Sequence, residues 1–179
     1  MTWEDVAKEG YKFLLGILAK PPGGQSVVIP LGSGYTAPQA PATLESRDLA
    51  HCHPELRRRY EALRHDFFIE TGRQLFETCT WRSSTRQQDL YRVGRRGVAG
   101  EKILTQIDGV TKRSRHNYFP AQALDCCVDT DPGPGKHPVW DEAAYAPLGP
   151  LCERHGLIWG GAWQKFKDYP HVEMRPEDV

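Results

Sequence analysis

Two histidines, two aspartates and one arginine are the residue types that metal-assisted hydrolysis needs. His116 stands in SRHNYFPAQALD, and Asp125 closes that segment nine residues later. His171 ends KDYPH, three residues after Asp168. Hydrolytic zinc sites draw three protein ligands from His and carboxylates and leave one position to water. His116, Asp125 and His171 meet that count. Zinc lowers the pKa of such a water towards ~7. A nearby carboxylate must then take the proton and pass it to the leaving amine. Asp168, held by the backbone close to a ligand, is the candidate. A fixed arginine stabilises the developing oxyanion, and Arg82 in TWRSSTRQ sits at an expected strand-to-helix junction. Spacing by itself leaves these roles open. A His and an Asp nine residues apart are no general metal motif, and a loop histidine is as a rule a surface residue. His51, His53, His65, His137 and His155 have no comparable context. Cys152 and His155 have CxxH spacing, but no second pair completes it.

The rest of the chain bounds what such a site can serve. The 179 residues fit one domain with a small appendage, enough to bury a core without disulfide staples. Lys plus Arg is 23 and Asp plus Glu is 23, so there is no clustered basic excess for a general nucleic-acid binder. Local basic clusters occur at Arg57–Arg59, read as a solvated helix face, and at Lys112–Arg115, which abuts His116. The five cysteines form no CxxC pair and suggest neither a disulfide framework nor a four-cysteine zinc site. Cys79 and Cys126 read as small core residues.

The elements that must position the candidates follow from periodicity. Trp3, Ala7, Tyr11, Leu14 and Leu18 space an amphipathic helix over 3–19, with docking on the domain as its plainest role. Acidic residues precede its short apolar stretch, which argues against an export signal and a membrane span. Residues 21–44, rich in Pro and Gly, read as a linker that includes a short strand at Val27–Ile29. The expected domains are therefore 1–45, helix and linker, and 46–179, the catalytic unit. Within the latter we expect a helix over 54–70 closed by Gly72, a strand over 74–80, and a helix capped by Ser83 or Ser84 running to about 93. A polar loop covers 95–115 and a strand 123–128. A helix over 140–155 is interrupted by Pro147 and Pro150, and short strands follow at 157–159 and 171–173. Irregular alternation of helices and short strands makes the fold class α+β. Trp140, Trp159 and Trp163 could line a groove, although indoles more often build core.

Four segments resemble, in order, the VanY-type D-alanyl-D-alanine peptidase family, and most closely its phage endolysin branch, the L-alanyl-D-glutamate peptidases. They are WRSSTRQQDLYRVGR, SRHNYFPAQALD, HGLIWGGAW and FKDYPHVE, and they lie within residues 46–173. The resemblance implies a small antiparallel sheet with flanking helices and a zinc site on the sheet, the Hedgehog/D-Ala-D-Ala peptidase-like fold. It implies His116, Asp125 and His171 as Zn2+ ligands, Asp168 as the catalytic carboxylate, Arg82 as the substrate or oxyanion arginine, and Ser114 as support for the first ligand. The sequence departs from the family in places. The commonest His-to-Asp spacing is seven with a Gly between, whereas here it is nine with Pro120 inside. Ala162 stands where relatives carry Asp after Gly-Gly, and Val172 replaces a common Phe.

The implied activity is a zinc endopeptidase that cleaves the stem peptide of bacterial peptidoglycan, at the L-Ala–D-Glu bond. The expected chain is a monomer, without nucleic-acid partners or stable membrane insertion, made in a host cytoplasm and acting on the wall after release during phage lysis. The alternatives are a D-alanyl-D-alanine carboxypeptidase or dipeptidase of wall metabolism, and a non-catalytic wall-binding module.

Overall fold

The computed structural model describes residues 39–131 and 136–179. The expected N-terminal helix, the Val27–Ile29 strand and most of the linker lie outside the described residues. From residue 39 onward the described chain falls in one unit.

Helix α1 spans Pro54–Thr71. Pro54 occupies the first turn, where a missing N–H costs nothing. The His53 ring accepts from the Glu55 N–H, and Gly72, at φ 69°, closes the helix in the left-handed conformation. Leu56, Tyr60, Leu63 and Phe67 recur at helical spacing and are fully buried. Arg57–Arg59 are not simply solvated: they pair with Glu61, Glu55 and Asp178, and Arg59 thereby ties α1 to the C-terminus.

Strand β1 (Gln74–Cys79) leads into α2 (Ser84–Arg92), whose N-cap is Ser83. After the long loop come β2 (Ala123–Asp129), β3 (Pro138–Val139), α3 (Glu142–Tyr145), α4 (Leu148–Arg154), β4 (Leu157–Trp159) and β5 (His171–Met174). The expected helix over 140–155 is two helices, parted at Ala146–Pro147. Pro150 does not break the second, because it sits within the first turn, where its absent N–H is unneeded. The five described strands pair antiparallel, in the order β1-β2-β5-β4, with β3 added to the far end of β2. The fold is thus the expected α+β arrangement, an antiparallel sheet with flanking helices.

The period of two along a strand separates core from site. On β2, Leu124, Cys126 and Val128 enter the core beneath α1 and α4, while Ala123, Asp125 and Cys127 face the other way. On β5, Val172 and Met174 enter the core, so His171 and Glu173 share the face of Asp125. All five cysteines are buried thiols.

Candidate active site

Sheet register brings the first two candidates together. Asp125 on β2 lies directly opposite His171 on β5. On its other side Asp125 faces Cys79, next to an irregularity in the β1–β2 ladder between Glu77 and Cys79. His116 comes from a short 3-10 turn, Arg115–Asn117. Ser114 caps that turn by accepting from the His116 N–H, and the Ser114 N–H donates to Asn117 Oδ1 at 2.8 Å. Asn117 then donates to the Arg82 carbonyl at 2.9 Å, and Arg82 N–H donates to the His116 carbonyl at 3.0 Å. Ser114 therefore supports the backbone of His116, leaving its ring to other partners.

Three side-chain atoms converge. His116 Nε2 lies 3.1 Å from Asp125 Oδ1 and 3.2 Å from His171 Nδ1, and His171 Nδ1 lies 3.1 Å from Asp125 Oδ1. The outer atoms of all three have partners that fix which atom points inward. His116 Nδ1 is 2.7 Å from the Thr80 carbonyl, which can only accept, so Nδ1 carries the proton. His171 Nε2 is 3.1 Å from Glu173 Oε2, again an acceptor. Arg82 Nη2 donates to Asp125 Oδ2 at 3.1 Å. Three lone pairs are left facing one another, an arrangement that needs a cation or protons at its centre. Donors about 2.0–2.1 Å from a tetrahedral zinc would stand roughly 3.3–3.4 Å apart, close to the separations found here. The donor set of two imidazoles and one carboxylate fits a divalent metal. Cys79 Sγ also lies near, 3.9 Å from His116 Nδ1, but on the side of the ring already engaged by Thr80.

Without a metal the same geometry favours protons. Burial alone would lower both imidazoles, yet the Asp125 carboxylate overrides it, raising His116 to about 10 and, with Glu173, His171 to about 9. Burial likewise opposes the charge on Asp125, but the two imidazoles hold it well below the usual carboxylate range.

Asp168 has a carboxylate oxygen within 4.8 Å of ligand atoms of Asp125 and His171. It makes no side-chain hydrogen bond among the described residues, so its lone pairs are available. Burial and then the Asp125 charge raise its pKa, which suits a proton-transfer group. Its placement depends on the Trp-Gly-Gly turn. Asp168 N–H donates to the Gly160 carbonyl at 3.1 Å, and His171 N–H donates to the Asp168 carbonyl at 3.2 Å. A Cβ on Gly160 would stand 2.5 Å from the Asp168 carbonyl oxygen and 2.9 Å from His171 Cβ. Glycine is required there for close approach of backbone, with no special dihedral involved.

Arg82 is half-held by Asp125 and half by Gln87, whose Oε1 accepts from Nη1 at 3.1 Å. Burial opposes its charge, and the Asp125 carboxylate more than restores it. The five sequence candidates thus line one cleft of about 450 Å³. The tryptophans divide. Trp159 packs against the core and donates to the Tyr169 carbonyl. Trp163 lies with its ring 5.0 Å from that of His171, and Trp140, 59% exposed, lines the cleft mouth. The core reading holds for Trp159 and fails for Trp140 and Trp163, because a cleft wall leaves an indole one open face.

Sequence reasoning missed Glu173 and Gln87. Glu173 follows His171 by two residues, and in a strand that spacing puts both on one face. That signal was legible once 171–173 was read as strand. Gln87, 1% exposed, gave no such signal from its own residue type, because the loop groups it donates to lie 18–20 residues away and its link to Arg82 forms only at the helix start.

Comparison with known proteins adds to this geometry. Residues 108–174 match a family described as D-alanyl-D-alanine carboxypeptidase. A curated relative, the peptidoglycan L-alanyl-D-glutamate endopeptidase CwlK of Bacillus subtilis strain 168, is 29% identical over 133 residues, covering 69% of this chain and 74% of its own. Among solved structures, the L-Ala D-Glu endopeptidase ChiX of Serratia marcescens is similar in fold, with a TM-score of 0.53 at 23% identity. That likeness covers 75% of this chain and 89% of the other. The four sequence blocks and these matches point the same way: the chain is similar to the VanY-type peptidases, a family of metallopeptidases.

Proposed function

We propose that this chain is a zinc-dependent endopeptidase that hydrolyses the stem peptide of bacterial peptidoglycan at the L-Ala–D-Glu bond. The observation that carries the reading is the inward convergence of His116 Nε2, His171 Nδ1 and Asp125 Oδ1, with an unpartnered Asp168 carboxylate beside them. His116, Asp125 and His171 would hold the zinc. When bound, the ion supplies Lewis acidity, polarising a scissile carbonyl and making water a stronger acid. Asp168 takes the proton from the attacking water and returns it to the leaving amine. Arg82 presents its guanidinium to the charge that develops on the carbonyl oxygen. Thr80 and Glu173 hold the two imidazoles in the tautomers that face inward.

The choice of bond follows the relative named for L-alanyl-D-glutamate cleavage, and Asp rather than Glu at 168 favours the same branch. Likeness to the phage members of that branch supports an endolysin role, with the enzyme reaching the wall of a lysing host. The second reading, a D-alanyl-D-alanine carboxypeptidase, is favoured by the description of the family that matches residues 108–174. One experiment separates them: mass spectrometry of fragments released from Gram-negative sacculi by zinc-loaded wild type and Asp168→Asn. New D-Glu amino termini from wild type alone support the endopeptidase. Release of free D-Ala instead supports the carboxypeptidase, and no release from either would sink both.

A further inference from the structure

We propose that Lys112 reads a carboxylate on the substrate, giving the cleft a preference for a peptide with a free carboxylate beside the scissile bond. The inference rests on the endopeptidase reading above and names the residue that selects within it. The side chains lining the cleft include two cations other than histidine, Arg82 and Lys112. Arg82 already serves Asp125, Gln87 and the oxyanion role proposed above. The other members of the basic cluster are also committed: Arg113 stacks over Tyr118, and Arg115 donates to Gln122 at 2.8 Å. Lys112 has no carboxylate and no ring partner among the described residues, and its side chain is exposed along the cleft wall.

The backbone under this lysine is fixed. Asp108 Oδ1 accepts from the N–H groups of Val110, Thr111 and Lys112, and Oδ2 accepts from the Thr111 hydroxyl. These bonds hold the exposed Asp108 carboxyl down at about 2. Gly109 N–H donates to the Lys112 carbonyl at 3.0 Å. Gly109, at φ 77°, packs so closely on Gln87 that a Cβ would lie 2.7 Å from the Gln87 side chain. Gln87 in turn donates to the Ile107 carbonyl at 2.9 Å and holds Arg82. The turn that carries Lys112 is therefore tied through Gln87 to Arg82, which fixes the backbone from which the ammonium extends into the cleft.

Charge points the same way. Asp125 and Asp168 balance Arg82 and Lys112 along the cleft, and a bound dication leaves the lining positive. A positive cleft draws an anionic ligand. A glutamyl residue on the amine side of the scissile bond supplies that anion. It is linked onward through one carboxyl and keeps the other free.

The test uses two matched peptides, L-Ala–D-Glu blocked as an amide at the γ-carboxyl and carrying either a free α-carboxylate or an α-carboxamide, with zinc-loaded wild type, Lys112→Met and Lys112→Arg. Wild type is expected to favour the acid by about tenfold or more in kcat/KM, the scale of one charge-assisted hydrogen bond. In Lys112→Met the acid-to-amide ratio should fall towards one, and in Lys112→Arg it should recover in part. An unchanged ratio in Lys112→Met, with both peptides cut, overturns the assignment of Lys112 and leaves the endopeptidase reading standing. Failure of zinc-loaded wild type to cut either peptide overturns both.

Discussion

Replacing Gly160 by alanine should damage the site without removing any group that does chemistry. The new Cβ would stand 2.5 Å from the Asp168 carbonyl oxygen, whereas ordinary contact begins near 3.4 Å, so something must yield by about 0.9 Å. The obstacle is backbone, not the end of a flexible side chain. The second nearest atom, His171 Cβ at 2.9 Å, belongs to a candidate ligand. The turn also carries the bond from Asp168 N–H to the Gly160 carbonyl. Relief must therefore displace the segment that holds both Asp168 and His171. Overpacking of this kind costs ~1–3 kcal/mol, a fall of roughly 2–12 °C in Tm for a chain of this size. A displacement approaching 1 Å near reacting groups costs on the order of 10²-fold in rate. Thermal unfolding and kcat/KM of the zinc-loaded variant on an L-Ala–D-Glu peptide measure the two effects. A variant that melts within about 1 °C of wild type and turns over within about twofold would refute the claim that close backbone approach at Gly160 sets the geometry of the site.

Three further outcomes are expected. His116→Ala and His171→Ala each remove one of three inward donors and should abolish stoichiometric zinc in metal analysis; retention of zinc by both would sink the site. Glu173→Ala frees the His171 ring and should weaken zinc affinity by about 10–100-fold in a chelator competition, with Glu173→Gln recovering much of the loss; equal affinity in all three proteins would mean that the tautomer needs no carboxylate. The imidazoles are raised to about 10 and about 9, so near pH 7 the metal-free site holds protons that zinc must displace. Apparent affinity should therefore climb from pH 6 towards about 10 and flatten above it, and calorimetry in buffers of different ionisation enthalpy should register proton release. Affinity independent of pH across that range would contradict the proton-filled cluster.

Much of the framework is written in short-range pattern. The apolar spacing from Leu56 to Phe67, with Pro54 and Gly72 at its ends, specifies α1 by itself, because a helix is closed by contacts within four residues. The Ser83 cap and the strand-like run over 123–128 are equally local. Residue types marked His116, Asp125, Asp168 and His171 as able to do hydrolytic chemistry, and their blocks carried the family likeness. Other features were decided only when distant segments met. Register sets Asp125 opposite His171, and a shift of one residue would turn His171 into the core. The Thr80 carbonyl chooses which nitrogen of His116 faces inward, which no spacing reveals. Gln87 joins Arg82 to the 105–109 loop, and Gly160 lets one turn press against another. Trp159 went to the core while Trp140 and Trp163 went to the cleft, although all three have the same intrinsic preference. The sequence determined which chemistry the chain could carry and which elements would carry it, because both depend on residue type and local period. The meeting of the candidate ligands and the walls of the cleft were left to tertiary structure, because they depend on segments many residues apart.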